Sequence, residues 1–246
     1  MSNEASPPIA RRPRGQGRQV AENLVYLATI WVIPALVAIT FHEAAHGFVA
    51  HLLGDDTAWR LGRVSFNPLK HIDPVGTILL PGMLLFLHSP FLFGYAKPVP
   101  VNFRALRSPR SGMVLVAAAG PAMNIGLAII AALAFHFVRY LPDTVALWLA
   151  ANLRNAVLLN VVLAIFNLFP LPPLDGGRIL VGILPVRAGR VLAQLEPFGI
   201  AILLAVFIVL PVLGATLGLD LSGVSRVLAI ATNAVIAAIV YLTGNA

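Results

Sequence analysis

Phe41-His42-Glu43-Ala44-Ala45-His46 sits near the end of an apolar run that starts at Leu24 and continues to about Leu53. On a helix, His42 and His46 stack on one face and Glu43 lies beside them, within reach of anything they hold. The run, at 1.5 Å per residue, is long enough to cross a hydrocarbon core of roughly 30 Å. An acid at the centre of a membrane helix costs roughly 2.5–3.5 kcal/mol unless it is partnered. A His-Glu-His cluster in this setting is therefore a metal-binding arrangement that needs further ligands from elsewhere in the chain.

Composition decides the setting. Hydrophobic residues make up 59% of the 246-residue chain and charged residues 11%, and the mean hydropathy is +0.87. That is more apolar surface than a soluble domain of this length can bury, so an integral membrane protein is expected. The net charge of +7 comes from 17 Lys and Arg against 10 acids. The basic residues fall in short clusters between apolar runs, where they act as topology determinants facing anionic lipid and do not form a nucleic-acid surface. Cysteine is absent, which leaves His, Asp and Glu as the ligands for zinc.

The expected architecture is all-α and polytopic, with five to six transmembrane helices and a small β-strand or re-entrant segment between the first span and the Gly120-Pro121-Ala122-Met123-Asn124 span. Residues 1–20, rich in Arg and Pro, read as a disordered basic arm. Residues 21–246 form one membrane-embedded domain, with a catalytic core at 21–190 and a C-terminal helical pair at 191–246. After the first span, Gly62 to Phe66 alternates like a strand. Residues 77–93 are apolar but broken by Pro81-Gly82 and Ser89-Pro90, as in a short span or a re-entrant hairpin. In the extended segment that follows, Pro98 and Pro100 strip donors from one edge of a strand; it reads either as a one-sided strand whose Lys97, Val99 and Val101 dock an extended peptide, or as an ordinary Pro-rich connection. A span over 111–138, a polar link from Arg139 to Arg154, and a span over 155–169 come next. That last span ends at Pro170-Leu171-Pro172-Pro173-Leu174-Asp175-Gly176-Gly177-Arg178, which unwinds the helix around one acid. Apolar runs over 198–217 and 224–242 complete the chain.

A catalytic zinc takes three protein ligands and keeps a fourth position open. His42 and His46 supply two; the third comes from Asp73, Asp175, Glu196, His51, His71 or His88. Asp175 is favoured, because it alone follows an apolar span directly and can be aimed back into the bundle from a broken helix end. Glu43 is then free to serve as base toward a water attacking a carbonyl. Asn124 and Asn167 are amides in apolar helices, placed either to meet a substrate backbone or oxyanion or to bond between helices.

These residues resemble the site-2 proteases, intramembrane zinc metalloproteases, through HEAAH at 42–46, GPAMN at 120–124 and FNLFPLPPLDGGR at 166–178, with GYAKPVPVN between them, in the family's order. The resemblance implies one Zn2+ per chain held by His42, His46 and Asp175, with Glu43 as catalytic acid/base and Asn167 on the substrate backbone. It also implies a transmembrane-helix protein as substrate, cut within the lipid bilayer. No insertion is long enough for a PDZ or CBS domain, and the oligomeric state is left open. A transporter or channel, or an inactive membrane scaffold, are the alternative functions for intramembrane acids on broken helices.

Charge predicts sidedness. The loops at 55–76, 94–110 and 171–190 are rich in Lys and Arg and are expected in the cytoplasm, at the cell membrane, whereas 139–154 and 218–223 fall opposite. This places the zinc ligands near the cytoplasmic face only if residues 77–93 re-enter. The arginine-rich arm then lies outside, against the charge rule, and the metal geometry is the stronger constraint.

Overall fold

The structure, a computed structural model, describes residues 14–79, 82–83, 86 and 96–245. Among the described residues, seven helices carry the architecture. They are α1 (Arg14–Leu52), α2 (Pro109–Ala134), α3 (Asp143–Asn167), α4 (Asp175–Ile183), α5 (Val186–Ala193), α6 and α7 (Gly223–Leu242). Helix α6 is continuous through Gly199–Leu204, a π-wound stretch at Ala205–Val209, and Leu210–Leu217. Among the described residues five segments are long and apolar enough to cross a membrane: Asn23–Leu52, Pro109–Tyr140, Asp143–Asn167, Val186–Leu217 and Gly223–Leu242.

The first three long helices form the core because their facing surfaces are small. Helix α1 buries Ala38, Ala44, Ala45, Gly47 and Ala50, and α2 buries Gly112, Ala117, Gly120, Ala128, Ala131 and Ala132. Lipid tails are as apolar as these side chains, so close van der Waals approach of small residues replaces the hydrophobic effect as the drive for association. Between the helices run polar ties. Trp148 Nε1 donates to Thr29 Oγ1 at 3.1 Å, and Asn155 Nδ2 donates to the Ile30 carbonyl at 2.8 Å. These set α3 parallel to α1, while α2 is antiparallel to both.

The expectations for the rest of the chain fare unevenly. Helix α1 begins at Arg14, so the last part of the expected disordered arm is helical; residues 1–13 lie outside the described residues. The expected polar link at 139–154 is mostly helix. A short 3-10 stretch, Phe135–Tyr140, extends α2, and the chain turns at Leu141-Pro142 into α3. Arg154 is exposed on α3 and interrupts nothing. Helix α7 packs Ile239 against Ala128, Ala132 and Val161, and its end is tied to α2 by His136 Nε2 donating to the Thr243 carbonyl at 2.6 Å. It therefore runs parallel to α2, which starts α7 on the face where α3 ends rather than opposite, as the charge count implied. The 218–222 loop has no Lys or Arg to count, whereas Arg226, one turn into α7, pairs with Asp220.

No strand forms among the described residues, which corrects the small β-element expected before α2. The segment from Ala96 to Asn102 is extended but makes no ladder, because its amides go elsewhere. The Lys97 N–H donates to the His71 carbonyl at 2.9 Å, the Val99 N–H to Glu43 Oε2 at 2.8 Å and the Asn102 N–H to Asp55 Oδ2 at 2.6 Å. The edge expected to be open at Lys97 and Val99 is thus engaged within the chain. Gly62 to Phe66 likewise forms turns and bends, and whether residues 77–93 cross or re-enter falls largely outside the described residues, as does His88.

Asp55 anchors this strap. It is 1% exposed, and its Oδ1 accepts from the Thr57 N–H at 2.9 Å and the Thr57 hydroxyl at 2.5 Å. Asp55→Ala leaves two backbone donors unmet and is expected to destabilise the protein by about 2–4 kcal/mol, read as a lower thermal midpoint in detergent. An unchanged midpoint would show that the strap is held by other contacts.

Candidate metal centre

His42, His46 and Asp175 come together where α1, α2 and the N-terminus of α4 meet. The two histidines project from the same face of α1, as their spacing of four dictates. Asp175 arrives from a tight loop. A Cβ on Gly176 would lie 2.1 Å from the Leu168 carbonyl oxygen, one on Gly177 2.1 Å from Pro172 N, and one on Gly199 2.0 Å from Pro172 O. Three glycines thus let the proline-rich turn wedge against the starts of α4 and α6, which aims the Asp175 carboxylate into the bundle.

The ligand atoms form a triangle. His42 Nε2 and His46 Nε2 are 3.0 Å apart, and Asp175 Oδ2 lies 3.2 Å from the first and 3.4 Å from the second. The outer ring nitrogens fix what these atoms carry. His46 Nδ1 is 2.7 Å from the Val116 carbonyl oxygen, which can only accept, so Nδ1 holds the proton. His42 Nδ1 is 2.6 Å from Asn124 Oδ1. That amide is oriented by its Nδ2, which donates to the Ala38 carbonyl at 3.1 Å and to Asn160 Oδ1 at 2.8 Å. An imidazole that carries a single proton, on Nδ1, has a bare lone pair on Nε2, and both Nε2 atoms face inward, toward a carboxylate oxygen that is buried and has no hydrogen-bond partner. One proton satisfies one of these contacts; a divalent cation satisfies all three. Tetrahedral zinc with bonds of about 2.0–2.2 Å holds its ligand atoms roughly 3.3–3.5 Å apart, close to the triangle seen. The donor set fits zinc.

Glu43 sits beside the triangle, with Oε2 bonded to the Val99 N–H. Asn167, at the end of α3, is partly buried and donates to the Leu163 carbonyl at 3.0 Å. Asn124 is fully buried with its oxygen and both amide protons committed inside the protein. Val99 is buried, Lys97 is exposed and Val101 is intermediate. The other ligand candidates lie elsewhere among the described residues. His51 bonds Asp56 at 2.7 Å and stacks on Trp59, and this hydrogen bond holds the Asp56 carboxyl below its ordinary range. Asp73 caps the Val75 and Gly76 amides, His71 bonds the Ser65 carbonyl, and Glu196 pairs with Arg178.

Three residues at this site escape a reading of the sequence by motif. Gly120 belongs to a small-residue surface that was legible, but its position against both imidazoles was not. Asn160 is the partner of Asn124, and its signal was the recurrence of Asn152, Asn160 and Asn167 at spacings of about two helical turns. Asp55 had no signal beyond an acid following Gly54.

Comparison with known proteins gives the family. The model of peptidase family M50 matches residues 138–210. "Putative zinc metalloprotease YwhC" of Bacillus subtilis is 39% identical over 185 residues, covering 72% of this chain and 79% of its own length. "Putative zinc metalloprotease Rip2" of Mycobacterium tuberculosis is 30% identical over 220 residues, covering 87% of this chain and 82% of its own. No solved structure matches significantly. The chain belongs to peptidase family M50, the site-2 family of zinc metalloproteases.

Proposed function

We propose that the chain is a zinc endopeptidase that hydrolyses peptide bonds of transmembrane-helix proteins within the bilayer. The observation that carries this reading is the triangle of His42, His46 and Asp175, whose three ligand atoms converge inside the protein, with Glu43 beside it. Zinc, when bound there, polarises a carbonyl and brings the pKa of a water to about 7.

The chain's own residues do the rest. Glu43 uses one oxygen on the Val99 N–H and keeps the other to take a proton from the attacking water and return it to the leaving amide nitrogen. Asn167, at the exposed end of α3, meets the backbone of an unwound substrate. Asn124 has no capacity left for a substrate, so we assign it to holding His42. Lysine and arginine in the 55–76, 94–110 and 171–190 loops support a centre toward the cytoplasm, and we assign the protein to the cell membrane.

Zinc content by mass spectrometry on purified protein, followed by cleavage of a transmembrane-helix substrate in liposomes, tests this. One zinc per chain is expected, with cleavage lost on chelation and restored by added zinc, and Asp175→Ala is expected to lose the metal. Protein free of zinc that still conducts ions or solutes in liposomes would replace this reading with transport.

A further inference from the structure

We infer that Asn160, in the middle of α3, is a positioning residue for the metal: it fixes the inward lone pair of His42 from two side chains away. This rests on the reading of His42 as a zinc ligand. Asn160 is 1% exposed and Asn124 is 0% exposed, in a bundle of apolar helices. An amide with no partner in such a place is strongly disfavoured, so their hydrogen bonds run in the one direction that satisfies every atom.

That direction starts at a backbone oxygen. The Ala156 carbonyl can only accept, so Asn160 turns its Nδ2 toward it at 2.8 Å and presents Oδ1 to Asn124. Asn124 must answer with its Nδ2, at 2.8 Å, which the Ala38 carbonyl also receives at 3.1 Å. Asn124 Oδ1 is then left facing His42 Nδ1 at 2.6 Å, which must carry the proton. A proton on Nδ1 frees Nε2 for the metal. If the Asn124 amide flips, its NH2 group faces Nδ1, the proton moves to Nε2, and His42 no longer ligates. Flipping also sets oxygen against oxygen at both Ala38 and Asn160. With Asn160 removed, only the longer contact to Ala38 opposes the flip. Outer partners of this kind typically change metal affinity 10–100-fold.

The test is zinc affinity by competition with a chromophoric chelator, with the absorption of the Co2+-loaded protein as a second readout. Asn160→Leu keeps the volume and removes the acceptor. It is expected to bind zinc 10–100-fold more weakly and to alter the Co2+ spectrum. Asn160→Asp, protonated in this apolar setting, can donate to Ala156 and accept from Asn124, and is expected to stay within about threefold of wild type. Asn155→Leu, a change on the same helix as Asn160 that removes the bond to Ile30 of α1, is expected to lower the melting temperature without changing zinc affinity. If Asn160→Leu cannot be purified, Asn160→Ser gives the same reading, since its hydroxyl bonds back to Ala156 and leaves Asn124 unmet. Wild-type affinity in the Leu or Ser variant overturns the inference, as does an equal loss in Asn155→Leu. Wild-type protein that binds no zinc overturns instead the reading on which it rests.

Discussion

Glu43→Gln is expected to abolish peptide-bond hydrolysis, by about 10²–10⁴-fold in kcat, while zinc content stays at the wild-type value. The substitution keeps the shape of the side chain and keeps an acceptor for the Val99 N–H, which Glu43 Oε2 receives at 2.8 Å. What it removes is the ability to take up a proton. Glu43 is not one of the three converging ligands, so the metal has no reason to leave. Zinc assay and cleavage assay on the same preparation separate the two effects. A Glu43→Gln variant that still cleaves would remove Glu43 from the chemistry and return the site to the transport or scaffold readings. A variant that loses zinc would make Glu43 a ligand.

The parts of this molecule that could be read from the sequence are those where one local rule sufficed. The four-residue spacing of His42 and His46 fixes their shared helical face whatever surrounds them, and a long, predominantly apolar run such as 224–242 has one outcome in a bilayer even with Arg226 near its start. Asp175 was legible because prolines and glycines end its helix beside an apolar span. Where two rules competed, reading the sequence failed. The charge of Arg154 predicts a boundary, yet an arginine can sit on the exposed face of a continuous helix such as α3. The Pro98 and Pro100 pattern fits a one-sided strand edge, but which partner the remaining amides find is a tertiary fact: His71, Glu43 and Asp55 claim them. The 218–222 loop carries no basic residue, so the charge rule was silent there, and the direction of α7 came from the packing of Ile239 instead. The Asn124–Asn160 pairing shows the same limit, since each amide is visible as a costly polar group but the sequence does not say which finds which.

Gly120→Ala is expected to abolish zinc binding, with an affinity loss of at least about 100-fold, and activity with it. A Cβ at this position would lie 2.4 Å from His46 Nε2, 2.5 Å from His42 Cε1 and 2.6 Å from His42 Nε2. Those two Nε2 atoms are the ones that face the metal, so the added methyl group occupies the space of the ion itself. The rings have little freedom to retreat, because His46 is held by the Val116 carbonyl and His42 by Asn124. Moving the helices apart is also costly, since α1 and α2 meet closely through alanines and glycines and are tied by the Asn124 bonds to Ala38 and His42. Helix propensity works the other way: alanine in place of glycine favours a helix by about 1 kcal/mol, so loss of zinc cannot be put down to a weakened α2. Gly126→Ala supplies the control, because a Cβ there meets nothing within 4 Å on the same helix. It is expected to keep zinc and activity and to leave the melting temperature equal or slightly raised. Gly120→Ala with a full complement of zinc and wild-type cleavage would show that the metal sits away from the centre of the His42–His46–Asp175 triangle, on the side that Gly120 does not face.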